Sequence, residues 1–146
     1  MTARLGWTAL AVALLAGCGQ RQPEAKPLSG RELYTAQCAL CHNRNGEGIP
    51  GMYPPLAGSD WVSGPPQRLA SIILDGMRGP CGKFNGVMPG WRGVLPDAQI
   101  AALMTWLRQA AGKPPVTAVE VNHVRIETDG RNTFWTVGDL QNLPVR

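Results

Sequence analysis

Cys38-Ala39-Leu40-Cys41-His42 is the stretch on which the reading of this 146-residue chain turns. Two thiols three residues apart on one helical turn, with an imidazole directly after the second, form a C-x-x-C-H pattern, the attachment signature of c-type haem. The spacing has a physical basis. Each sulfur can bond one of the two vinyl-derived carbons of a single porphyrin, and the histidine that follows is then aimed at the iron from the same side. Neutral imidazole is a good axial ligand for iron. Two other chemistries use similar residues. A zinc site would need a fourth ligand such as Cys81 or His123, yet neither has a second ligand nearby in sequence, and structural zinc prefers paired clusters. A dithiol redox centre needs a strand leading into the motif within a βαβ pattern, whereas the residues before Cys38 are helix-like. The pattern therefore predicts one covalent haem c, with its iron, held at Cys38, Cys41 and His42.

Upstream of the motif, Ser29 can cap a helix, and Glu32 three residues on completes a capping-box pattern. Downstream, Gly46, Gly48, Pro50 and Gly51 force the backbone to loop. A middle helix is expected over Gln67 to Asp75, with prolines before it and Gly76 to end it. A second glycine-rich stretch runs from Arg78 to Gly93. The strongest helix is expected from about Ala98 to Ala111, where Ile100, Leu103, Met104 and Leu107 share one stripe beside Trp106. Three main helices with long loops make an all-α domain only if something fills the centre, and a haem does that.

His42 leaves the other face of the iron open. The candidates for it are Met52, Met77, Met88, Met104 and His123. Met104 belongs to a core stripe and His123 reads as a surface histidine. A thioether reaching the iron from a loop needs extended backbone, which Pro89 enforces at Met88 because residues before proline avoid the helical region. Met77, just after the middle helix, is the next candidate.

The order of C-x-x-C-H, then Gly46 to Gly58, then Asn85-Gly86-Val87-Met88-Pro89-Gly90-Trp91, then a terminal amphipathic helix resembles the class I cytochrome c family over about Leu28 to Lys113. It is similar to small bacterial cytochromes and to cytochrome domains of periplasmic dehydrogenases and nitrite reductases. The resemblance implies the class I fold and makes Met88 the second axial ligand. It also implies that the first helix crosses the last through Gly30, Tyr34 and Trp106. The carbonyl of Pro54 or Pro55 would accept the His42 imidazole proton, as outer groups do around metal ligands. It places Trp91 near a haem propionate, a plain core tryptophan being the alternative. Where the family commonly has a second proline, this chain has Gly90, which predicts a looser loop.

Leu5 to Ala16 form an apolar stretch after Arg4, too short for a bilayer span of roughly 20 residues. It ends in Leu15-Ala16-Gly17-Cys18, which resembles a bacterial lipobox. Residues 1–17 are thus expected to be a lipoprotein signal peptide, and Cys18 the lipidation site. Residues 18–28, polar and proline-bearing, would be a lipidated tether reaching roughly 30 Å. Residues 29–114 would form the cytochrome domain and residues 115–146 a C-terminal extension with a short helix and a packed loop. Formal charge is +4, or +3 without Arg4, and contains no Lys/Arg run, so nucleic acid is not an expected partner. With the other cysteines assigned, Cys81 reads as a free thiol in a loop, an intermolecular bridge being the alternative.

The functional expectation is a membrane-anchored electron-transfer protein on the periplasmic side of a bacterial membrane, docking transiently to redox partner proteins near Met52, Tyr53 and Val87. His/Met ligation raises the reduction potential. A filled sixth position also argues against catalysis, so the chain is read as a carrier, not an enzyme. The alternatives are a permanent cytochrome subunit of a dehydrogenase, oxidase or nitrite reductase complex, and a haem-based gas-binding sensor.

Overall fold

The computed structural model describes residues 26–144. The expected signal segment, Cys18 and residues 19–25 lie outside the described residues. Helix α1 (Gly30–Gln37) starts at Ser29, whose side chain accepts from the Glu32 amide while the Glu32 carboxylate accepts from the Ser29 amide at 2.7 Å. The expected capping box is therefore present. Helix α2 (Ala39–His42) is a single turn carrying the end of the motif. A short α3 (Asp60–Ser63), capped by Ser59, was not anticipated. Helix α4 (Pro66–Asp75) begins at a proline and stops at Gly76, whose φ of 77° an L side chain rarely adopts.

Strands β1 (Met77–Arg78) and β2 (Val87–Met88) then pair antiparallel, Met77 opposite Met88 and Arg78 opposite Val87. Helix α5 (Asp97–Gln109) follows, with α6 (Ala118–Glu127) and α7 (Val137–Gln141) after it. The expected short helix and loop of the extension are thus two helices joined by a packed loop. Only Val121 and Val124 of α6 are buried, so its apolar stripe is too narrow to mark the helix in the sequence.

The frame is the crossing of α1 over α5. A Cβ at Gly30 would fall on the Ala102 carbonyl and lie 2.7 Å from Trp106 Cβ, so only glycine allows the approach. Next to it the rings of Tyr34 and Trp106 pack with centroids 4.6 Å apart. Ile100, Leu103 and Met104 are at most 1% exposed beneath this crossing. Burying such side chains contributes about 2 kcal/mol each. Helix α6 covers α4 and α5 from the other side. Helix-dominated, with a single two-stranded sheet among the described residues, this is the class I cytochrome c fold. Among the described residues no helix is long and apolar enough to cross a membrane.

Candidate haem site

The motif sits where α1 breaks into α2. The amides of Cys41 and His42 both donate to the Cys38 carbonyl, at 3.1 and 2.9 Å, which coils the two thiols and the imidazole into one turn. His42 is 7% exposed, and its Nδ1 lies 2.9 Å from the Pro54 carbonyl. A carbonyl only accepts, so Nδ1 carries the proton and Nε2 is the nitrogen left for a metal. Of the two prolines the sequence offers, Pro54 is the one that orients the ring. Burial pushes the His42 pKa down, against the opposing effect of the Pro54 bond, and so favours the neutral ring.

Loop geometry holds that carbonyl in place. Gly48 donates to the His42 carbonyl at 2.9 Å, and a Cβ on Gly48 would lie 2.7 Å from Pro54 carbonyl carbon. The Tyr34 hydroxyl reaches the carbonyls of His42 and Asn43, and the Asn43 side-chain amide donates to Gly48 at 2.8 Å. A residue on α1 therefore clamps the loop that follows the motif.

Burial, and then the neighbouring Cys41, push the Cys38 thiol up to about 11. A thiol so reluctant to ionise is a poor dithiol nucleophile. Among the described residues no group of three or more His, Cys, Asp or Glu is gathered to hold a metal ion. The zinc alternative therefore lacks a ligand set. Cys81 is half-buried and free.

Beside the motif opens a cleft of about 1280 Å³, its mouth included. Its lining is mostly apolar, with Ile72 and Ile73 of α4 and Leu103 and Leu107 of α5 among the side chains. Cys38, Cys41, His42 and Met88, the four residues expected from the sequence, all border it, and so does Met77. Facing pairs in an antiparallel ladder project to the same face, so Met77 and Met88 are neighbours. The sequence pattern did not bring these two methionines together, because strands of two residues leave no periodic signal. Met104 is fully buried in the core, and His123 is exposed on α6; neither borders the cleft. Met52, 63% exposed, stands at its edge.

Trp91 both borders the cleft and packs on the core. Its neighbour corrects one expectation. A Cβ at Gly90 would lie 2.6 Å from the Leu74 carbonyl and 2.7 Å from the Asp75 carbonyl carbon. Glycine here gives close contact with the end of α4, not slack.

Two cysteines on one turn, a proton-donating imidazole and thioethers around one apolar cleft define a c-type cytochrome domain. A family model described as Cytochrome C oxidase, cbb3-type, subunit III matches residues 25–107, and the chain belongs to this family of c-type cytochromes. It is 35% identical over 133 residues to a cytochrome c-552 of Thermus thermophilus, covering 81% of this chain and 85% of that one. It is 35% identical over 123 residues to the cytochrome c subunit of the quinone alcohol dehydrogenase of Gluconacetobacter polyoxogenes, covering 74% of this chain and 26% of that subunit. A Cbb3-type cytochrome c oxidase subunit CcoP of Azospirillum brasilense is 33% identical over 89 residues, 57% of this chain and 28% of that subunit. Membership means a covalent haem c and electron transfer, as a carrier or as the electron-transfer part of a complex, without catalysis of its own. The residues present fit such a group: two thiols, one nitrogen with its other side committed, and sulfur donors along an apolar wall.

Proposed function

We propose that this chain is a single-haem carrier that passes one electron at a time between redox proteins outside the cytoplasm, tethered to a membrane through a lipid on Cys18. In this reading Cys38 and Cys41 bind the porphyrin as thioethers, His42 Nε2 is one axial ligand and Met88 Sδ the other. The haem supplies a one-electron couple, and the chain's residues do the rest. Pro54 keeps the imidazole in the required tautomer, the apolar cleft keeps water from the metal, and the thioether favours the reduced state. The observation that carries the reading is the 2.9 Å bond from His42 to Pro54 in a ring adjoining both thiols. The exposed rim at Met52 and Val87 suits brief docking, since rapid exchange of partners favours small, weak interfaces.

Purified holoprotein should show a c-type α band when reduced and a weak sulfur-to-iron band near the red edge when oxidised. Met88→Ala should lose the second band and Met77→Ala should keep it. An oxidised spectrum unchanged by Met88→Ala would refute the ligand. Mass analysis of the mature N-terminus tests the anchor, which requires an acylated Cys18.

A further inference from the structure

The two-stranded hairpin that presents Met88 does not stand alone. Trp135, from the segment between α6 and α7, pairs in parallel with Met77 on the side away from Met88. Its amide donates to the Gly76 carbonyl at 3.0 Å, and its carbonyl accepts from the Arg78 amide at 2.7 Å. In effect Trp135 adds a third strand, so Met77 becomes the middle of the order Trp135, Met77, Met88. The indole is 5% exposed and forms a small apolar cluster with Ile72 and Leu140, against which both Met77 and Met88 pack.

Polar contacts lock the same segment. The Trp135 indole N–H donates to Asp75 Oδ2 at 3.3 Å, and Arg92 grips Asp75 with Nε at 2.6 Å and Nη2 at 3.1 Å. Arg92 also donates to the carbonyls of Arg125 and Thr128, at 3.0 and 3.4 Å. On the outer face the Arg131 guanidinium lies 3.5 Å from the centre of the indole ring. Asp75 ends α4 and Arg92 lies four residues past Met88, so the extension grips the loop on both sides of the methionine.

We propose that Trp135 is a positioning residue for the Met88 thioether, holding the hairpin so that the sulfur stays on the iron. The proposal rests on Met88 being that ligand. A two-residue hairpin is marginal by itself, and a ligand on it would leave the metal for part of the time. Main-chain pairing on the far side, and the apolar cluster of Trp135, Ile72 and Leu140 against the two methionines, reduce that fraction.

Imidazole can bind oxidised haem only when the sulfur has left, so its apparent affinity scales with the fraction of molecules whose sulfur is off. Full-length holoprotein carrying Trp135→Ala is expected to bind imidazole about tenfold more tightly than the parent chain. Trp135→Phe, which keeps an aromatic ring in the cluster, should return the affinity most of the way to the parental value. Val121→Ala in α6 should lower the melting temperature while leaving imidazole affinity alone, which separates positioning from general stability. Parental imidazole affinity in Trp135→Ala overturns the proposal. Should Trp135→Ala yield no holoprotein, Arg131→Ala at the surface must shift the affinity in the same direction, or the proposal fails. If Met88→Ala leaves the oxidised spectrum and imidazole affinity unchanged, the ligand assignment has failed. If Met88→Ala responds and the Trp135 and Arg131 variants do not, only the brace has failed.

Discussion

The two walls of the cleft are built differently. The His42 wall is local: Tyr34, the motif, Gly48 and Pro54 lie within about one loop of each other, and the hydrogen bond that orients the imidazole comes from there. The Met88 wall is assembled from distance. Its hairpin has two residues per strand, and its support comes from Asp75, Arg92 and Trp135. The lining of one cleft can thus be half determined by a motif and half by tertiary contacts that no motif announces.

The largest break in this contrast should come from Gly30→Ala. The added Cβ meets the Ala102 carbonyl and the Trp106 Cβ, so α1 must back away from α5 and carry the motif with it. A loss of about 3 kcal/mol is expected, as for overpacked cores, read by denaturant melts of the holoprotein. An unchanged midpoint would mean that the crossing is looser than described. Tyr34→Phe should act more gently and mainly on the His42 wall. It leaves the Asn43 and His42 carbonyls without their hydroxyl donor, at a cost of about 1 kcal/mol, with imidazole affinity rising less than in Trp135→Ala. A larger rise would make the two walls interdependent.

The smallest effect concerns acid. Bonds from the Thr117 amide and hydroxyl lower the Glu120 carboxyl below its ordinary 4.5, and the equivalent Thr136 bonds lower Asp139 below 3.8. Because folding lowers these values, their contribution is complete above the ordinary ones and fades as the pH falls through the lowered ones. Amides of α6 and α7 should therefore exchange faster below about pH 4, after correction for intrinsic rates. Helix α1 has a similar box at Ser29 and Glu32 but is also pinned across Gly30, so it should change less. Equal acceleration in α1 would remove the distinction.

This contrast also explains what could be read in advance. The C-x-x-C-H turn, the capping box at Ser29 and the proline start of α4 depend on residue types at short spacing, whereas the roles of Gly30, Tyr34 and Trp106 followed only from the family resemblance. Met88 stood out as a candidate because Pro89 constrains the residue before it. The pairing of Met77 with Met88 and the strand supplied by Trp135 were not legible, since single bridges between distant segments leave no period. Gly90 was misread: absence of a side chain suggested freedom, yet the position is glycine because the Leu74 and Asp75 backbones come too close for anything larger.

The bond from Arg68 to the Leu140 carbonyl joins residues 72 apart, and that from Trp135 to Asp75 joins residues 60 apart, whereas His42 and Pro54 are separated by 12. Closing the longer loop costs roughly 1.5 kcal/mol more in chain entropy than closing the shorter. The turn around His42 therefore closes at little cost in chain entropy, whereas the clasp formed by Trp135 and Leu140, like the α1–α5 crossing, joins residues distant in sequence. The seat of the imidazole is thus the entropically easy closure of this fold, and the latch behind the hairpin the hard one.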